Sequence, residues 1–482
     1  MGKVCEKFQK TMKMIIASGI IVIAVTILAG INNTGFKMPG RATVNSVIEA
    51  EETSTTVTDF EKERPVIASI VNNRNGIAIT WNKIEGATGY YIYRDGKKIC
   101  QVKKETTKYT DKGANKNGTL YGFSIMAYKT INGKTYKSVI SPEVKSCFLK
   151  GSSIDILTKK AGNTHVSWRK NSKANGYQVQ YSTKQSFKKA GVKTVKGQNK
   201  KSAKLSKLKN TKSYYVRVRG YVRKGKKKYY SHWSTCAKII PWNGKWEFAG
   251  YSKIHTDSAT LYFSSAPKTK KKTVCINAGH GTKGGESVMT LCHPDGSGKV
   301  TGGSTAAGAI RATSINSGTV LNDGTTEAQA TLKLAMVVKK KLLKAGYNVL
   351  MVREGEDSQI DNIGRTVFAN NCADYHIALH YDSSSSDKGA FYISVPENKS
   401  YRNMYPVSKN WKKHNKLGKN LVWGMENAGV KIYGKGEMAI DLTQTSYSTI
   451  PSVDLEVGDK SSNHSNKALK TIASGIVKGM NK

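Results

Sequence analysis

Thr273-Val-Cys-Ile-Asn-Ala-Gly-His280, followed by Gly281, decides how the chain folds. Val274 to Asn277 reads as a short buried strand running into a glycine turn that presents His280. Tyr375-His-Ile-Ala-Leu-His380 has the same design, a strand-like run with a histidine at its C-terminal end. Ser452-Val-Asp-Leu-Glu456-Val-Gly458 ends in a carboxylate. In open α/β sheets, ligands bind beyond the carboxyl ends of the strands. Three strand ends that bring His280, His380 and Glu456 to one rim therefore predict a metal site. Everything upstream of residue 250 reads as equipment for delivering it.

At 482 residues the chain is too long for one ordinary domain, and about two to four are expected. A hydrophobic fraction of 38% with 23% charged residues is that of a globular protein. The net charge of +45 calls for an anionic surface or polymer nearby. The 7 cysteines form no CxxC pair and no close framework, which argues against zinc fingers and disulfide scaffolds. Cys275 and Cys372 lie in apolar runs and read as small buried hydrophobes.

Residues 1–31 carry lysines at 3, 7, 10 and 13, then an apolar run from Met14 to Gly30, the layout of a signal peptide or signal anchor. Residues 32–63 are polar and Thr/Ser/Glu-rich, a flexible linker. An internal repeat follows. Trp81 precedes Gly89-Tyr90-Tyr-Ile-Tyr93, and Trp168 precedes Gly176-Tyr177-Gln-Val-Gln-Tyr181, with the same spacing. Tyr121-Gly-Phe-Ser-Ile-Met-Ala-Tyr128 is answered by Tyr214-Tyr-Val-Arg-Val-Arg-Gly-Tyr221. All four runs alternate as half-buried strands do, which predicts two β-sandwiches. These residues resemble the fibronectin type III family, over 64–148 and 149–242, and the resemblance implies binding or spacing rather than catalysis. From Ser152 to Trp242 there are 20 Lys and 4 Arg against the single acid Asp155. Anionic wall polymers would suit that surface, and an exported setting argues against nucleic acid. Residues 243–272 read as a packed connector with a basic hinge.

From about residue 273 the chain carries the chemistry. Ala328, Leu332, Ala335, Val338, Leu342 and Ala345 form an amphipathic stripe on a helix that begins at Glu327, with Thr325 or Thr326 as cap and Gly346 as terminator. Glu327 is then either a dipole-favoured acid of the first turn or an inward-turned ligand. Asn277-Ala-Gly-His280-Gly, Glu327, Arg365-Thr-Val-Phe-Ala-Asn370 through Asp374 to His380, and Pro451 through Glu456 to Gly458 occur in that order. Together they resemble the zinc-dependent N-acetylmuramoyl-L-alanine amidases of the amidase 3 type, over residues 273–482.

The resemblance implies Zn2+ held by His280, Glu327 and His380, with Glu456 as the catalytic carboxylate and peptidoglycan as substrate. Two imidazoles and one carboxylate leave a zinc position open for water. Departures from the family pattern include Asn277, Ala278, Ala378, Asp382, Asp454 and Asp459. The expected architecture is two all-β sandwiches, then an α/β domain with a twisted, mostly parallel sheet flanked by helices. The expected protein is secreted or held at the cell envelope, with the membrane touched only through an uncleaved N-terminal segment. The rival readings are another zinc-dependent wall peptidase and a non-catalytic wall-binding protein. The long Gly/Ser/Thr-rich stretch after Gly284 is expected to rim the substrate groove. His376 is expected to pack rather than ligate. Cys292-His293, His165, His232, His255, His414 and His464 are expected at the surface, and Asp357 and Asp361 at a solvated helix start.

Overall fold

The computed structural model describes residues 57–482 apart from 161, 162 and 207. The expected signal segment and most of the expected linker lie outside the described residues. Of that linker, residues 57–62 are helical. Among the described residues no helix is long and apolar enough to cross a membrane.

The repeat folds as its alternation requires. In the first copy Ile67–Asn72, Ile77–Trp81 and Lys108–Asp111 form a 3-stranded sheet, and Gly89–Arg94 and Thr119–Ile131 centre a 5-stranded one. The second copy repeats this with Ile154–Lys160, Asn163–Trp168 and Ser202–Leu205 facing Gly176–Ser182 and Tyr214–Lys224. Each early tryptophan is buried against the following tyrosine, with ring centroids at 5.5 Å for Trp81–Tyr90 and 5.3 Å for Trp168–Tyr177. The glycine of each motif is explained by close approach. A Cβ at Gly89 would lie 2.5 Å from the Tyr128 hydroxyl, and one at Gly176 would lie 2.6 Å from that of Tyr221. In the second copy Arg217 stacks on Phe187 and Trp233, and Arg219 on Tyr230 and Trp233. Cation–π stacking thus occupies these arginines, and the exposed positive charge is mostly lysine.

The second sandwich does not end where its repeat ends. Its strand Ala237–Ile240 pairs antiparallel with Ala259–Tyr262, which pairs antiparallel with Asn348–Met351. The expected connector therefore supplies an internal strand of one continuous 12-stranded sheet. A buried polar cluster locks this joint. The Tyr262 hydroxyl donates to Glu354 Oε2 at 2.6 Å and accepts from Leu157 N at 2.8 Å. Lys339 Nζ donates to Glu354 Oε1 at 2.6 Å and to the Asp155 carbonyl at 2.7 Å. Every polar atom named here has a partner, as burial demands.

Beyond the joint, Asn348–Met351, Thr273–Ala278, Tyr375–Asp382 and Ser452–Asp459 run parallel in that spatial order. Ala390–Ser394 then pairs antiparallel with the last of them, and Ile432–Ala439 pairs parallel with Ala390–Ser394. The whole sheet is thus large and mixed, while within residues 273–482 four of its five pairings are parallel, as expected. The central parallel strands Asn348–Met351 and Thr273–Ala278 are buried on both faces, so they read as apolar runs. Val274 and Ile276 face helix Glu327–Ala345 and share one core with helices Val407–Glu426 and Asn466–Met480, while Cys275 packs with Phe368 and Ala369 of Asn362–Cys372. Helix Glu327–Ala345 is capped as its sequence predicts, by Thr326 in a capping box with Gln329, and ends at Gly346 in the left-handed region.

Asp361 is the N-cap of Asn362–Cys372, yet it is wholly buried rather than solvated. Its carboxylate also accepts from Ser252 Oγ and from the backbone N–H groups of Lys253 and Ile254. It therefore fastens the segment between the sandwich and the parallel strands.

Candidate metal centre

His280 is presented by a loop that two buried arginines hold in shape. Arg353 donates to the carbonyls of Ala278 and Gly279, and Arg365 to those of Ala278 and His280. Asn277 Oδ1 accepts from Arg365 at 3.0 Å, so this departure from the family pattern also anchors the loop. The clamp holds His280 at φ 60, a left-handed conformation uncommon outside glycine. Gly279 is required by contact, since a Cβ there would lie 2.3 Å from the ring of His380.

His280, Glu327 and His380 converge as predicted. His280 Nε2 lies 2.8 Å from Glu327 Oε1, and His380 Nδ1 lies 3.0 Å from both of those atoms. A tetrahedral zinc with bonds of about 2.0–2.1 Å separates its ligand atoms by about 3.3 Å, so the triangle needs to open only slightly to hold the ion. The outer contacts suit that role. His280 Nδ1 faces the Asn316 carbonyl at 2.9 Å, which leaves Nε2 as the donor atom. Glu327 accepts from Tyr381 N at 3.1 Å and Thr319 N at 3.0 Å, so the helix-start acid is turned inward.

Electrostatics match the geometry. Burial alone would raise the Glu327 carboxyl, but hydrogen bonds to His280 and His380 hold it well below the usual range. Burial opposes the charge on His380, yet the carboxylates of Asp454 and Glu327 raise its pKa to about 10, so a metal bound at Nδ1 would have to displace a proton from the ring. Glu456 is pushed well above its ordinary value, first by burial and then by the charge of Asp454. Its Oε2 has no partner among the described residues, and neither has Asp454 Oδ1.

The triad opens into a cleft of about 700 Å³ that also contains Asp454 and Glu456. Ile393, Met438, Ile440 and Gln444 line it, and so do Gly302 to Thr305, Thr313 and Ile315 to Thr319 of the long segment before Glu327. That segment is pinned by the buried Asp441, which accepts from Lys299 Nζ at 3.0 Å and Val300 N at 2.7 Å and faces His293 Nε2 at 3.1 Å. His293 and Cys292 are therefore buried, where a surface loop was expected. His414 is buried too, accepting from Ser452 N at 2.9 Å, because its helix lies against the Glu456 strand. His376 packs as expected, with Nδ1 3.2 Å from Ser452 Oγ. Residue periodicity did not single out Asp454, Arg353 or Arg365 for roles at this site. The one available signal was the alternation Val453, Asp454, Leu455, Glu456, which sends both acids to one face.

Fold and site define an α/β domain with a His-Glu-His cluster able to hold a metal at the C-terminal ends of parallel strands. Residues 274–482 match the family described as N-acetylmuramoyl-L-alanine amidase, and residues 153–236 match the fibronectin type III domain. The chain thus carries an amidase-family domain preceded by a fibronectin type III domain. Solved structures similar to it include the N-acetylmuramyl-L-alanine amidase Ami1 from Mycobacterium abscessus, at 17% identity and TM-score 0.36, covering 44% of this chain and 97% of that one. Another is the catalytic domain of the amidase CwlV from Bacillus (Paenibacillus) polymyxa var. colistinus, at 20% identity and TM-score 0.29, covering 44% and 96%.

Proposed function

We propose that this protein is an exported N-acetylmuramoyl-L-alanine amidase. It would cut the amide between the lactyl group of N-acetylmuramic acid and the L-alanine of the stem peptide. The observation that carries this reading is the convergence of His280, Glu327 and His380 beside Glu456, within the residues that match the amidase family. Zinc bound there would polarise the scissile carbonyl and lower the pKa of a water towards about 7. Glu456 lines the same cleft, with Oε2 unpartnered among the described residues, and would take a proton from the attacking water and return it to the leaving amine. Glu327, fixed by two backbone N–H groups, holds the ligand set in place and leaves the proton work to Glu456. The walls formed by Gly302 to Thr305 and by Ile393, Met438, Ile440 and Gln444 would position the glycan and its stem peptide.

The basic second sandwich would hold anionic wall polymers, a proposal that rests on its 24 cationic side chains against one acid. The first sandwich, read as a second fibronectin-like module, would act as a spacer.

The test is digestion of purified peptidoglycan with zinc-loaded protein, followed by end-group analysis. Muramoyl glycan with a free L-alanine amine is the expected product. An internal peptide amine would make it a wall peptidase instead, and no new end group would make it a binding protein. His380→Ala should lose its zinc on elemental analysis.

A further inference from the structure

We propose that Asp454 is a positioning residue that fixes the His380 ring so that its Nδ1 faces the metal. The inference rests on the metal-site reading above. His380 Nδ1 is the nitrogen that meets His280 Nε2 and Glu327 Oε1, each at 3.0 Å. An imidazole that offers Nδ1 as a donor must carry its proton on Nε2. The charged group facing that nitrogen is Asp454, with Oδ2 3.7 Å from Nε2. At that distance the pair is a charge contact rather than a hydrogen bond, and an anion so placed still favours the Nε2–H form.

Strand geometry puts Asp454 there. Val453 and Leu455 are buried in the core, so Asp454 and Glu456 face the cleft. In the parallel register His380 stands beside Glu456, and Ala378, which adds only a methyl group, stands beside Asp454. The carboxylate therefore sits one step below the ring, with Oδ1 buried and unpartnered among the described residues. His280 has a different arrangement, in which a backbone carbonyl holds its second nitrogen. The two acids on one strand face thus divide the work: Asp454 aims a ligand, and Glu456 moves the proton. A carboxylate that accepts a hydrogen bond from a ligating histidine is worth about 10- to 100-fold in metal affinity, and a charge contact at 3.7 Å takes the low end of that range.

The experiment measures the zinc dissociation constant of the full chain by chelator competition, for wild type, Asp454→Asn, Asp454→Leu, Asp454→Glu and the control His280→Ala. Asn and Leu should each weaken zinc by about tenfold, and Glu should recover part of the loss. Imidazole 15N signals of the zinc-loaded protein should show His380 protonated at Nε2 in the wild type and a mixed state in Asp454→Asn. Should the Asn variant fold poorly, the Leu variant, which stands between the buried Val453 and Leu455, gives the same comparison. Zinc affinity equal to wild type in either folded variant overturns the proposal. Weakened zinc with an unchanged His380 signal also overturns it, since Asp454 would then be a ligand itself. Undiminished zinc in His280→Ala would instead sink the metal-site reading on which the proposal rests.

Discussion

His380 and Glu456 stand side by side on adjacent parallel strands, paired in register at the ends that face the cleft. The pairing holds a ring of the candidate ligand set next to a carboxylate that is not part of that set. Glu456→Gln keeps the shape and removes the base. Turnover should fall by about a hundredfold to ten-thousandfold, while zinc content stays at the wild-type value. Near-normal turnover would mean that another group carries the proton. Joint loss of zinc and activity would move Glu456 into the ligand set.

Much of the site was legible because its signals are local. The Thr326 cap, the stripe from Ala328 to Ala345 and the stop at Gly346 lie in one stretch and give the helix that carries Glu327. The two strand ends that carry His280 and His380 are each a single apolar run. What stayed hidden depends on partners far away in sequence. Asp361 looked solvated because the backbone it serves, Lys253 and Ile254, lies more than a hundred residues earlier. His293 looked exposed because Asp441 supplies its contact. The strand Ala259–Tyr262 looked like a linker because it is short, and the sheet edges it joins belong to two different sequence units.

His376 should make folding acid-sensitive. Burial first, then the charge of Arg365, lowers its pKa to about 3. The unfolded chain titrates near its ordinary value of about 6.5. Below that pH the unfolded state binds a proton that the folded state refuses. The ring's contribution is therefore complete above about pH 6.5 and falls as pH drops towards about 3. Comparison with His376→Leu removes the titrations common to both proteins. Between pH 6 and 4.5 the wild type should lose about 1.4 kcal/mol per pH unit relative to the variant, measured by urea unfolding. A difference independent of pH would show that the ring titrates alike in both states.

Asp441 should control the roof of the cleft. Hydrogen bonds from His293 and Thr301 outweigh its burial and hold its carboxyl well below the usual range. Asp441→Asn leaves Lys299 buried without its counter-charge, a change that costs about 3–5 kcal/mol when a buried pair is broken. The strain falls on the segment from Lys299 to Ala309, whose backbone pairs with itself. Amide exchange there should speed up markedly. KM for muropeptide should rise about tenfold, the effect of ~1.4 kcal/mol of lost positioning, with kcat little changed. Unchanged exchange would show that the segment holds itself.

The lysines of the second sandwich should govern attachment, and the joint with the catalytic sheet dictates how to test it. Deleting residues 152–242 would strip Ala259–Tyr262 of its neighbour and leave Lys339 and Tyr262 without partners from the sandwich. Loss of activity in such a deletion would say nothing about wall binding. Substitution avoids this. Lys184, Lys188, Lys189 and Lys196 are exposed, on or beside Gly191–Lys196, the outermost strand of the sheet. Charges in that position have a second use, since edge lysines discourage strand pairing between copies. Changing all four to Gln should weaken retention on isolated walls at least tenfold at low salt, which asks only ~1.4 kcal/mol of four charges together. The gap should close as salt rises, because the screening length shrinks from about 10 Å at 0.1 M to about 3 Å at 1 M. Hydrolysis of small soluble muropeptides should not change. Equal retention at every salt concentration would refute attachment through this face. Self-association of the variant alongside equal retention would assign these lysines to guarding the edge.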